Sequence, residues 1–149
     1  MTNSPVEVSE LIRTETRHFE RLAAAALIAL AAAGAALVRY FDPVAAGFFP
    51  ACPLYRMTGF ACPGCGLTRG FHALFHGDVA AALQFNALIP FWVLVFGYVF
   101  VSLALFAARG RGLPMKLFHP AVLWIVLIVL LAFGVLRNLP FYPFTLLFP

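Results

Sequence analysis

The chain has 149 residues, of which 63% are hydrophobic and 11% charged, with a formal net charge of +4 and a mean hydropathy of +0.94. A soluble domain is roughly half apolar and a quarter charged, so one water-facing core is excluded and lipid is the natural solvent. The basic residues sit at segment ends, as membrane proteins keep them, and no aromatic–basic interleaving suits a nucleic-acid strand, so no nucleic-acid partner is expected.

Residues 1–21 read as a polar N-terminal tail, partly helical, with Glu10, Arg13, Arg17 and Glu20 at helical spacing. The mixture of Arg13, Arg17 and Arg21 with acidic residues is a poor secretory signal. Residues 22–149 read as a single membrane domain. Leu22 to Val38 is free of charge and bracketed by Arg21 and Arg39, whose stems can snorkel and lengthen a span of about 22–41.

Asp42-Pro43 opens a loop that carries Pro50, Pro53 and Pro63 among Phe48, Phe49, Tyr55 and Phe60. Proline removes helix and aromatics suit the headgroup level, so residues 42–65 are expected to be a rigid loop lying on the membrane face. Gly66 to His76 follows as a short amphipathic helix at the interface. Leu67, Phe71, Leu74 and Phe75 form one face, and Cys65, Arg69, His72 and His76 another. Asp78, after Gly77, is placed to cap the next helix. The cysteine loop and amphipathic helix together occupy 42–86.

Val79 to Ala108 is a second uncharged run with Gln84 and Asn86 as its amides, and Pro90 marks a kink or the true start of the span, about 87–108. Arg109, Arg111 and Lys116 close it. The third span, about 118–137, has Pro120 in its first turn and ends at Arg137-Asn138. The fold class is therefore all-α: a polytopic membrane protein with three transmembrane helices plus a short interfacial amphipathic helix.

Three spans put the two ends on opposite sides. Arg109, Arg111 and Lys116 lie in a short loop on the N-terminal side, so the positive-inside rule makes that side cytoplasmic. The expected location is a bacterial inner membrane, with an extracytoplasmic cysteine loop in an oxidising compartment.

The densest polar chemistry is Cys62-Pro63-Gly64-Cys65-Gly66-Leu67-Thr68-Arg69. With FDP at 41–43, CP at 52–53, HGD at 76–78, Asn86 and RNLP at 137–140, the stretch from about Asp42 to Pro140 resembles a bacterial membrane family known as domain of unknown function 2752. The resemblance implies a small multi-spanning protein and supplies no activity.

The chemistry must come from the residues, and three readings stand. In a thiol oxidoreductase or thiol carrier, Cys62 and Cys65 sit at a helix N-terminus, which lowers a thiol pKa, with Arg69 as the nearby cation and Cys52 as a resolving thiol. In a metal knuckle, Cys52, Cys62 and Cys65 supply three of the four ligands that zinc takes. His72 is too far along the helix to complete that set, and His72 and His76 at i and i+4 read as a solvated pair or a separate ion site. In a structural corner, Pro63 and Gly64 make a turn pinned by a Cys52–Cys62 or Cys62–Cys65 disulfide.

Arg69, Asn86, Arg137 and Asn138 are costly near lipid and need partners. Asp42 and Asp78 are expected to neutralise Arg69 and Arg137 and to cap helices, with an anion pocket as the sharper alternative. Asn86 reads as an interhelical hydrogen bond. Thr68 completes the polar set. No catalytic triad, P-loop or paired intramembrane acid is present. The leading expectation is an accessory or binding subunit beside the lipid bilayer, with a membrane-protein partner or as a homo-oligomer. Thiol exchange comes second and a transport component third.

Overall fold

The computed structural model describes residues 5–114, 119–142 and 147, with side chains from residue 15 onward. Among the described residues six helices follow one another: α1 (Pro5–Tyr40), α2 (Pro53–Thr58), α3 (Leu67–Phe75), α4 (Val79–Phe85), α5 (Ile89–Arg109) and α6 (Pro120–Leu136). No strand occurs among the described residues.

Two boundaries differ from expectation. α1 begins at Pro5, so the expected polar tail and first apolar run form one helix of 36 residues. Glu and Arg are good helix formers and no proline interrupts the run, so nothing stops the helix at the change from polar to apolar. The loop also contains α2, with Pro53 in its first turn. Proline there loses no helical hydrogen bond, so the residue expected to break helix instead starts one.

Other boundaries follow their local signals. Asp78 Oδ1 accepts from Ala81 N at 2.9 Å and caps α4. Asn86 is extended and ends α4, so α5 starts at Ile89 with Pro90 in its first turn. At the start of α6, Pro120 occupies the first turn and His119 Nδ1 accepts from Ala121 N at 3.3 Å, a cap the sequence reading missed.

Glu15–Tyr40 within α1 and Ile89–Arg109 are long and apolar enough to cross a membrane, while α6 is apolar but shorter, at 17 residues. At ~1.5 Å per residue α5 reaches the ~30 Å of a hydrocarbon core and α6 falls short of it. Leu30, Leu94, Trp124, Ile125 and Ile128 are all exposed. By contrast, the largest fully buried side chains among the described residues are Arg137 and Asn86. This inverts the usual soluble pattern, in which charged side chains are almost never fully buried unless paired.

The chain divides into two compact units, residues 1–34 with 95–114 and residues 35–94 with 115–149. In the first, Arg21 Nε and Nη2 donate to Ala107 O and Ala108 O at 2.8 and 2.9 Å, a cation on the final carbonyls of α5. In the second, Arg39 Nη1 donates to Phe75 O at the end of α3, and buried Gly70 lets α3 meet Ala82 of α4 and Ile89 of α5. A Cβ on Gly70 would lie 2.8 Å from Ile89 Cδ1.

Candidate metal centre

The centre is assembled from two short pieces of chain. Cys52 is the N-cap of α2, and Cys62 and Cys65 flank the Pro63-Gly64 turn. Cys65 N donates to Cys62 O at 3.0 Å and Leu67 N to Gly64 O at 3.0 Å, so the turn runs directly into α3. Gly66 makes the join at φ +81°, a conformation that only glycine adopts without strain.

Cys62 is the hub. Its sulfur lies 3.3 Å from Cys52 Sγ and 3.4 Å from Cys65 Sγ, and all three sulfurs lie within 4.8 Å of one another. A disulfide bond needs about 2.05 Å, so no two of the three sulfurs are bonded in this arrangement. Tetrahedral zinc with Zn–S bonds of ~2.3 Å separates its sulfurs by about 3.8 Å, so the three thiols form a face that fits such an ion.

The backbone around the sulfurs is tied off from behind. Arg137 Nη1 donates to Cys62 O at 2.9 Å and to Cys65 O at 3.1 Å. Asn86 Nδ2 donates to Pro63 O at 2.8 Å and Cys65 O at 3.1 Å, while its Oδ1 accepts from Leu88 N. Asn138 both accepts from Ala61 N and donates to Ala61 O, each at 2.8 Å, and its Nδ2 also reaches Gly134 O. With their carbonyls held this way, residues 61–65 keep one shape. Gly134 lets α6 come close, since a Cβ there would sit 3.1 Å from Pro63 Cγ.

Arg137 is fully buried, and its guanidinium stacks over Phe133 at 5.1 Å. Its Nε and Nη2 have no hydrogen-bond partner among the described residues. Burial acts on its charge most, and the ionisable groups beside it are Cys65, Cys62 and Arg69. A buried cation needs compensation, and here the thiols of Cys62 and Cys65 would supply it once a bound metal displaced their protons.

The thiols are unlike one another. The Tyr55 backbone N–H, with help from Cys62 and Cys65, draws the Cys52 thiol down to about 7. Burial pushes the Cys65 thiol up to about 12, reinforced by its sulfur neighbours.

The remaining expected residues lie elsewhere. Arg69 lies over the Phe85 ring at 5.4 Å, so the cation tied to the cysteine turn is Arg137. Asp42 Oδ1 accepts from Val44 N at 2.7 Å, and Asp78 caps α4. Among the described residues neither carboxylate pairs with Arg69 or Arg137: each satisfies backbone next to it in sequence, leaving Arg137 to the sulfurs. Thr68 is exposed in the first turn of α3. Asn86 bonds loop carbonyls rather than another helix. His72 is half-buried against α1, its Nδ1 donating to Val38 O, and is not part of the cysteine set. A largely apolar groove of about 450 Å³ lies beside the turn, with Leu54, Phe60, Cys62, Leu131 and Asn138 among its walls.

No curated protein and no solved structure matches the chain. The likeness expected from Asp42 to Pro140 is shown over a shorter stretch, which takes in all three cysteines, Arg69 and Asn86. Over residues 52–100 the chain matches the model of the family described as Protein of unknown function (DUF2752), the family it resembles.

Proposed function

We propose that this is a small integral membrane protein whose cysteine loop holds one zinc ion through Cys52, Cys62 and Cys65, and that it serves a membrane complex as an accessory or binding subunit. The observation that carries the reading is that Cys62 Sγ lies at 3.3 and 3.4 Å from two sulfurs at once. A disulfide joins two sulfurs, whereas a metal centre uses all three. Bound zinc would supply a crosslink between α2 and the turn, together with charge neutralisation. Three thiolates and a divalent cation carry a net charge of −1, which the buried Arg137 balances.

The chain's own residues do the rest. Asn86 and Asn138 fix the backbone of the turn, and Arg137 fixes it and supplies positive charge. Zinc takes four ligands, so one position is left for water or a partner group. The groove beside Cys62 gives such a group an approach.

We place α6 as a third span, the N-terminus in the cytoplasm of a bacterial cell and the cysteine loop outside the inner membrane. The contact of Arg137 with Cys62 supports the third span, because a chain that leaves the loop through α5 must return to it through α6, and the basic loop at Arg109 and Arg111 supports the orientation. Three helices are few to enclose a pathway. The exposed apolar side chains of α6, including Trp124, Ile125 and Ile128, suit a membrane partner or a second copy.

Metal analysis of the full, untagged chain purified without added reductant tests the centre. We expect about one zinc per chain, absent from Cys62→Ser, with thiols that maleimide labels only after chelation. Substoichiometric metal, together with thiols that label only after reduction, would overturn it and favour thiol exchange through Cys62. Reporter fusions after Gly64 and after Arg111 read the topology. Opposite sides, with the Arg111 fusion cytoplasmic, are expected.

A further inference from the structure

A second pair of metal-ligating side chains lies on α3, outside the cysteine set. His72 and His76 stand one turn apart, with ring centroids 4.4 Å apart. Each has its Nδ1 on a backbone carbonyl: His72 on Val38 O at 2.6 Å, His76 on His72 O at 2.8 Å. A carbonyl oxygen only accepts, so both Nδ1 atoms carry the proton. In each neutral ring the lone pair is then on Nε2. Metal-ligating histidines have this arrangement, in which a carbonyl on one nitrogen fixes the tautomer and orients the other toward the ion.

We propose that His72 and His76 form a metal site distinct from the cysteines, chelating a borderline divalent cation such as Ni²⁺, Cu²⁺ or Zn²⁺ through their two Nε2 atoms, with water in the remaining positions. Imidazole suits these ions, and two imidazoles at i and i+4 on one helix can share one. The nearby charged groups do not close the site. Arg39 of α1 is engaged with Phe75 O, and Asp78 caps α4 through Oδ1. His76 is exposed, so an ion can reach the pair from solvent. The site does not rest on the zinc centre, whose ligands are sulfurs.

The test is histidine-ring NMR of the full, untagged chain in detergent during titration with substoichiometric Ni²⁺. The titration is repeated in Cys62→Ser, so that ion held by the sulfurs is not read as ion held by the rings. We expect the His72 and His76 rings to broaden together, before those of His18 and His119. In His76→Gln and His76→Asn, the Ni²⁺ needed to broaden His72 should rise at least roughly tenfold, because the chelate's effective concentration is lost. His18→Gln should change nothing. The proposal is overturned if His72 and His76 broaden no earlier than the other two, or if His72 responds equally in the His76 variants.

Discussion

Arg137 holds Cys62 by its backbone: the guanidinium Nη1 donates to Cys62 O at 2.9 Å across 75 residues of chain. The same nitrogen takes Cys65 O at 3.1 Å, so one buried cation sets the spacing of the paired cysteines while lying close to their sulfurs. Arg137→Met removes both hydrogen bonds and the balancing charge. Groups that orient metal ligands typically contribute roughly 10–100-fold in affinity, so zinc binding should weaken by that much. Arg137→Lys keeps the charge and should lose less. Competition with a chromophoric chelator measures both, and unchanged affinity in Arg137→Met would remove the role assigned to this residue.

Asn86 satisfies two loop carbonyls and one N–H from a fully buried position. Asn86→Ala leaves these groups unpaired, at a cost of about 1–3 kcal/mol for a buried unsatisfied polar group. Asn86→Asp keeps the acceptor for Leu88 N but turns an anion toward Pro63 O and Cys65 O, so it should destabilise at least as much. Thermal unfolding in detergent ranks the two, and an aspartate variant as stable as the parent would contradict the assignment.

What the sequence revealed was local. The Cys-Pro-Gly-Cys turn, the Asp78 cap and the Pro120 start each depend on neighbours within four residues, and each appears where expected. The convergence of Cys52 on the pair was legible only as a possibility, since ten residues of loop separate it from Cys62. Charge pairing is the usual answer for an arginine near lipid, and it points Arg137 to carboxylates. Its carbonyl and sulfur partners are brought to it by the return of α6, which no local period encodes. α2 has no distinct signal, because proline marks both the end of a helix and the start of one, and Pro53 is the second case.

Gly134 and Gly97 separate packing from helix propensity. Alanine at Gly134 puts a Cβ 3.1 Å from Pro63 Cγ and 3.3 Å from Cδ, whereas at Gly97 nothing lies within 4 Å. Overpacking costs typically about 1–3 kcal/mol, so Gly134→Ala should destabilise and weaken zinc binding by displacing the turn. Gly97→Ala should be neutral or stabilising by roughly 0.5–1 kcal/mol, the helical advantage of alanine. Equal effects of the two on unfolding would show that α6 does not need its close approach to Pro63.

The thiols give the metal-free, reduced chain a pH dependence with opposite signs on either side of their ordinary value of 9.0. Cys52 is drawn down to about 7, so folding favours its thiolate; that stabilisation is present above pH 9.0 and is lost as pH falls through 7. Cys65 is pushed up to about 12, so folding favours its neutral thiol; that contribution is present below pH 9.0 and is lost as pH rises through 12. The thiol-dependent stability should therefore peak near pH 9. Cys52→Ser should abolish the rise between 7 and 9, and Cys65→Ala the fall above 9. Alkylation with iodoacetamide followed by peptide mass spectrometry reads the same order: Cys52 reacts with a midpoint near pH 7, and Cys65 stays protected through pH 9. Zinc must displace the Cys65 proton to bind, so its affinity should climb with pH across this whole range. A Cys65 that alkylates as readily as Cys52 at neutral pH would show that burial does not protect it, and the predicted climb in zinc affinity would lose its cause.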